Sequence, residues 1–131
     1  MKFSLGKQEK LKSKKLIQEL YKKGDSVKDF PLRMIFLQTQ HNSSFPCQVG
    51  FSVSKRNFKL AVRRNRIKRV LRETYRLQKD IVYNNLSEPY VFMISYIGKE
   101  EIPYEDLYHK MQNLLQLFIE KSNKNSNDEA K

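Results

Sequence analysis

The chain has 131 residues, 39% of them hydrophobic, with a mean hydropathy of -0.72 and a formal net charge of +12 at pH 7. That length suits one compact domain and excludes two ordinary ones, and the longest apolar runs, such as Tyr90 to Ile97, fall far short of the ~20 residues a membrane helix needs. Cys47 stands alone, which excludes an internal disulfide and a cysteine-based zinc cluster; the lysine-rich N-terminus has no following apolar stretch, so a cytosolic location is expected.

The first predicted element is a helix from Ser13 to Gly24, with Ser13 as N-cap, Gly24 as a left-handed ending, Leu16, Ile17, Leu20 and Tyr21 on one side, and mostly lysine on the other. Strands are predicted over Leu32 to Thr39, Gln48 to Ser54 and Tyr90 to Ile97, with a short extended piece at Ser26 and Val27. In the second of these, Val49, Phe51 and Val53 alternate with Gly50, Ser52 and Ser54, so one face is apolar and the other carries only small side chains that leave room for a ligand. A further helix is predicted from Val62 to about Tyr83, with Ile67, Val70, Leu71 and Thr74 on its apolar face. The last helix has Pro103 in its first turn, Glu105 and Asp106 at its positive end, and a stripe of Leu107, Tyr108, Met111, Leu114, Leu115, Phe118 and Ile119. The expected organisation is one domain over residues 1–121 and a disordered tail over 122–131, which carries no large apolar residue.

The positive charge is concentrated. Residues 55–76 alone carry +9, while residues 77–131 are net acidic. On a helical wheel Lys68, Arg72, Arg76, Arg69 and Arg66 share the face opposite Ile67, together with Asn65. A solvated helix surface ordinarily mixes signs, yet here Glu73 is the only acid, so the face calls for an external polyanion.

The run Gly50-Phe51-Ser52-Val53-Ser54-Lys55-Arg56, followed by Ala61-Val62-Arg63-Arg64-Asn65-Arg66-Ile67-Lys68-Arg69-Val70-Leu71-Arg72-Glu73, resembles the signature of the bacterial ribonuclease P protein, centred on Arg64-Asn65-Arg66. Supporting matches lie at Leu11 to Ser13, Lys22 to Gly24, Ser26 and Val27, and in the final amphipathic helix. The resemblance implies an α+β sandwich of order α-β-β-(β)-α-β-α, like the second domain of a ribosomal protein, with a left-handed βαβ crossover; sequence rules alone would predict the right-handed form. It implies a protein subunit with no catalytic residue of its own, partnered one to one with a ribonuclease P RNA that uses Mg2+ to remove the 5′ leader of precursor tRNA.

By the same resemblance Arg63, Arg64, Asn65, Arg66, Lys68, Arg69 and Arg72 contact the catalytic RNA, and guanidinium forks suit phosphate. The leader site corresponds to Ile17, Tyr21, Ile35, Ser52, Ser54, Lys55 and Arg56, whose hydroxyls, cations and ring suit a single strand read without sequence preference. The chain departs from the family pattern at Ile17 and Ile35, where aromatic residues are common, in the longer loop Arg56 to Leu60, and at Arg63. Core packing is the competing reading for Ile17 and Tyr21. His41 and His109 have no metal-ligand or triad partner at a recognisable spacing, no phosphate-cradling glycine loop is present, and Glu100, Glu101, Glu105 and Asp106 are explained by a helix dipole. A general RNA- or DNA-binding structural protein would explain the charge and fold but not the specific Arg64-Asn65-Arg66 context, and a membrane-surface protein would require apolar residues beside the basic face that are absent.

Overall fold

The computed structural model describes residues 5–41 and 45–129, with side chains as far as residue 123. Its elements are a 3-10 turn at Lys7–Glu9, α1 (Lys14–Lys23), β1 (Asp25–Asp29), β2 (Leu32–Gln38), β3 (Cys47–Val53), α2 (Ala61–Arg76), α3 (Asp80–Tyr83), β4 (Tyr90–Tyr96) and α4 (Tyr104–Glu129). The four strands form one sheet in the order β1-β2-β4-β3. β1 and β2 make an antiparallel hairpin through Phe30 and Pro31, β2 runs antiparallel to β4, and β3 runs parallel to β4, which gives the predicted βαβ crossover through α2.

Alternation along the strands supplies two unequal faces. Leu32, Met34, Phe36, Cys47, Val49, Phe92, Ile94 and Tyr96 join Ile67, Leu71 and Tyr75 of α2 and Leu107, Met111, Leu114, Leu115 and Phe118 of α4 in the main core. Phe118 is its hub, with its ring 4.8 Å from Phe36, 5.3 Å from Tyr90 and 5.5 Å from Phe92. The opposite face has a smaller cluster, in which Leu20 of α1 and Leu11 lie on Ile35, Val91 and Met93. The sheet is therefore covered by two helices on one side and only partly by α1 on the other.

Several local expectations meet tertiary constraints. Ser13 does cap α1, its Oγ accepting from the Leu16 N–H at 3.3 Å. Gly24 ends that helix in extended backbone (φ -70°, ψ 157°) and not in the left-handed conformation; a Cβ there would stand 2.3 Å from the Leu20 carbonyl oxygen, so close approach is what requires glycine. The extended piece at Ser26 and Val27 is part of a full strand, β1. Pro103 immediately precedes α4, its carbonyl accepting from Leu107 N–H at 3.0 Å. The helix expected from Val62 to Tyr83 is interrupted after Arg76, because the Gln78 amide donates to the Thr74 and Tyr108 carbonyls and Lys79 turns inward. The boundary expected at Ser122 is not a structural break: Ser122 is buried, its hydroxyl donates to the Ile119 carbonyl, and the helical backbone continues to Glu129. Ala130 and Lys131, the end of the expected tail, lie outside the described residues.

The inward turn of Lys79 pins the N-terminal segment. Its ammonium lies 2.7 Å from Glu9 Oε2, both side chains being almost fully buried, and the Tyr83 hydroxyl donates to the same carboxylate. Next to this turn, Leu11 N–H donates to the Val49 carbonyl at 2.9 Å and Lys10 bridges to Val49, closing the outer edge of β3. Burial alone would raise the Glu9 pKa, but the hydrogen bonds from Lys79 and Tyr83 outweigh it and hold the carboxyl below its usual range. A depressed carboxyl contributes stability above its unfolded pKa of ~4.3 and loses it as pH falls through the folded value. Glu9→Gln should accordingly flatten the loss of stability below about pH 4 in denaturant titrations. Lys79→Ala, which strands the carboxylate, should cost about 3–5 kcal/mol at neutral pH.

Candidate nucleic-acid interface

α2 begins without a side-chain cap or an acidic residue in its first turn, and arginines crowd its positive end, an arrangement that is unfavourable without an anion. Ile67, Leu71, Thr74 and Tyr75 hold the helix on the sheet, so its other sides face outward. Asn65, Arg66, Arg69 and Arg72 are exposed and Lys68 is half-buried. Lys68, Arg69 and Arg72 take part in none of the ion pairs found among the described residues.

The remaining arginines are engaged internally. Arg64 Nη1 donates to the carbonyls of Phe58 and Lys59, each at 2.8 Å, and so ties the loop before the helix to its first turn. Arg63 lies 4.9 Å over the Phe58 ring and 3.2 Å from Glu101. Arg66 forms a bidentate pair with the same carboxylate, at 2.6 and 3.1 Å. Arg66 hydrogen bonding is the main cause holding Glu101 below the usual carboxylate range, and the pairing raises Arg66 in return. Arg76 is paired with Glu73 at 2.6 Å.

The open sheet face leads to the same place. Register aligns Gly50 with Met93 and Ile35, and the next row aligns Ser52 with Ser95 and Arg33. The Ser52 and Ser95 hydroxyls are 2.6 Å apart. Tyr21 on α1 is 54% exposed, whereas Ile17 is half-buried and Ile35, at 8%, is occupied in packing under α1. Ser54 accepts from Arg56 N–H at 3.2 Å, and Lys55 and Arg56 are exposed in the turn that follows β3. One strand end therefore delivers hydroxyls, cations and the positive end of α2 in succession.

This combination of sheet order, parallel crossover and motif helix has counterparts. The family model described as Ribonuclease P matches residues 5–118. The chain belongs to the ribonuclease P protein family. A ribonuclease P protein component of Porphyromonas gingivalis is 34% identical over 91 residues, covering 69% of this chain and 66% of that relative, so the match spans just under two thirds of it. One from Clostridium botulinum is 31% identical over 110 residues, 83% of this chain and 93% of its own. The RNase P protein structures from Staphylococcus aureus and Thermotoga maritima share the fold, with TM-scores of 0.64 and 0.66, identities of 23% and 21%, and coverage of 83% and 82% of this chain and 94% of each.

The sequence pattern alone missed two residues of this surface. Glu101 is no dipole residue of α4 but the shared counter-ion of Arg63 and Arg66, pairings across 38 and 35 positions that no local pattern signals. Ser95 reaches the small-residue face only through parallel pairing with Ser52. Cys47 is inert: burial pushes its thiol up to about 12, and Tyr75 Oη is its neighbour at 3.5 Å. No group of three or more potential metal ligands exists among the described residues, and no helix among them is long and apolar enough to cross a membrane. Glu101→Gln should release both guanidiniums and tighten binding to a ribonuclease P RNA about two- to fivefold, the equivalent of an exposed ion pair's ~0.5–1 kcal/mol, with a steeper salt dependence in filter binding.

Proposed function

We propose that this chain is the protein subunit of a ribonuclease P holoenzyme, binding the catalytic RNA through the outer face of α2 and the 5′ leader of precursor tRNA on the open sheet face beside α1. The RNA subunit, with its own Mg2+, supplies the chemistry of leader removal, and one protein serves each RNA. The observation that carries this reading is the trio Lys68, Arg69 and Arg72, presented together on one helix with no internal counter-ion among the described residues. Arg63 and Arg66 join the surface when phosphates compete with Glu101, while Arg64 acts mainly by shaping the loop at the helix start.

The protein's part is electrostatic and positional. Cations at the α2 surface offset repulsion between closely approaching phosphates, which is the task that high magnesium performs for an RNA alone. Leader contact at Tyr21, Ser52, Ser54, Lys55 and Arg56 then distinguishes precursor from mature tRNA by the presence of a single strand rather than its sequence.

Adding the purified chain to a ribonuclease P RNA at low magnesium should restore cleavage of precursor tRNA; absence of stimulation together with equal binding to unrelated RNAs would favour a structural RNA-binding protein. Replacing Lys68, Arg69 and Arg72 by alanine should lower the log-log salt slope for catalytic-RNA binding by about 2–3 units, and an unchanged slope would place the RNA face elsewhere. Tyr21→Ala should weaken precursor tRNA more than mature tRNA in the assembled holoenzyme. Equal losses on both would make Tyr21 a packing residue.

A further inference from the structure

The cover that α1 gives the sheet stops short of its end. Ile35 and Met93 lie under the helix, each 8% exposed, but in the next row Lys28, Arg33, Ser95 and Ser52 line up across all four strands, with the serines half-buried and both cations exposed. At ~4.8 Å between strands the row spans about 14 Å.

Lys28 and Arg33 are direct cross-strand partners, and like charges so placed repel. The nearest acids in sequence cannot relieve them, because Asp25 and Asp29 fall on the opposite face and bind Lys121 at 2.9 Å and Lys110 at 3.3 Å. A lysine on edge strand β1 guards against strand addition, but that purpose does not extend to Arg33 on interior strand β2.

Beyond the row lies an aromatic residue with no core role. Phe30, at the β1–β2 turn, is 59% exposed and lines a groove of about 370 Å³ with Pro31, Ile97, Gly98, Lys99, Glu100 and Ile102. Gly98 lets the chain approach Pro31, since a Cβ there would come within 2.9 Å of the proline ring. The groove continues the leader face: Ile97 follows Ser95 by two residues, and Asn57, in the loop that carries Lys55 and Arg56, donates to the carbonyls of Ile97 and Gly98. Its lining chemistry suits a nucleotide, because ring and aliphatic surface accept a stacked base, the Glu100 carboxylate accepts from exocyclic amino groups, and the exposed Lys99 adds a cation for the adjoining phosphate.

We infer that this end of the sheet is a second subsite for unpaired leader nucleotides, in which Phe30 stacks a base in the groove and Arg33 and Lys28 take the adjoining phosphates. The inference rests on the leader reading given above and extends it past Tyr21. It also supplies stacking that Ile17 and Ile35 cannot. The occupant follows from charge complementarity and from continuity with the Ser52, Lys55 and Arg56 surface.

The test uses assembled holoenzyme and two precursor tRNAs, one with a leader long enough to cross the sheet and one with a leader that ends at Tyr21. Phe30→Ala should weaken the long-leader substrate about five- to tenfold, with Phe30→Tyr retaining most of the affinity. Lys28→Ala with Arg33→Ala should lower its salt slope by about 1.4 units, and the short-leader substrate should be indifferent to all three changes. Far-ultraviolet circular dichroism checks that these exposed substitutions leave the fold intact. A wild-type ratio of long- to short-leader affinity in Phe30→Ala and in the double variant overturns the subsite. If Tyr21→Ala still loses leader discrimination in that case, only the extension fails; if it does not, the leader face fails with it.

Discussion

The parallel ladder between β3 and β4 governs the rest of the molecule. Parallel neighbours cannot be joined by a tight turn, so the chain must leave Val53 at one end of the sheet and return to Tyr90 at the other, and α2 spans that distance. With Ile67, Leu71 and Tyr75 committed to the sheet, the cations of α2 have no choice but to face outward. The same ladder pairs Ser52 with Ser95 and ends β3 beside the start of α2, so the hydroxyl face and the basic helix become neighbours through backbone geometry alone.

Charge is treated in two opposite ways. Lys79 and Glu9 are buried together and hydrogen-bonded, fastening the N-terminal segment to the turn after α2, where an unpaired partner would be strongly destabilising. On α2 the reverse holds: Lys68, Arg69 and Arg72 have no carboxylate partner among the described residues, and the helix dipole adds to the field near its start. Glu101 stands between these extremes. It neutralises two guanidiniums from an exposed position, where the pairing is weak enough for an external anion to compete with it.

The open sheet face is unevenly covered for a related reason. Only α1 and Leu11 just before it cover that side, and Leu11, Leu16, Ile17 and Leu20 suffice to bury the Ile35, Met93 and Val91 strip but not the row beyond. The uncovered part carries serines and cations in place of apolar residues, which keeps an open sheet soluble and makes it chemically suited to a single-stranded polyanion.

Much of this was legible in the sequence because it depends on residues near one another. Periodicity placed the stripe of α4 and the apolar face of α2, strand-forming composition placed the ends of β2, β3 and β4 to within a residue while β1 ran longer than its signal, and charge density marked the outer side of α2 as strongly basic. What sequence could not supply came from contacts between distant segments. The break at Gln78, the buried Lys79–Glu9 pair and the capture of Arg63 and Arg66 by Glu101 each join groups whose proximity no local pattern encodes. Gly24 shows the distinction at one atom: sequence identified a position that must be glycine, but packing against the Leu20 and Phe36 carbonyls, and not a positive φ, was the reason. Side-chain type and spacing thus determined which faces are apolar and which are basic, whereas strand pairing decided which of those faces share one surface, because register is a long-range property of the folded chain.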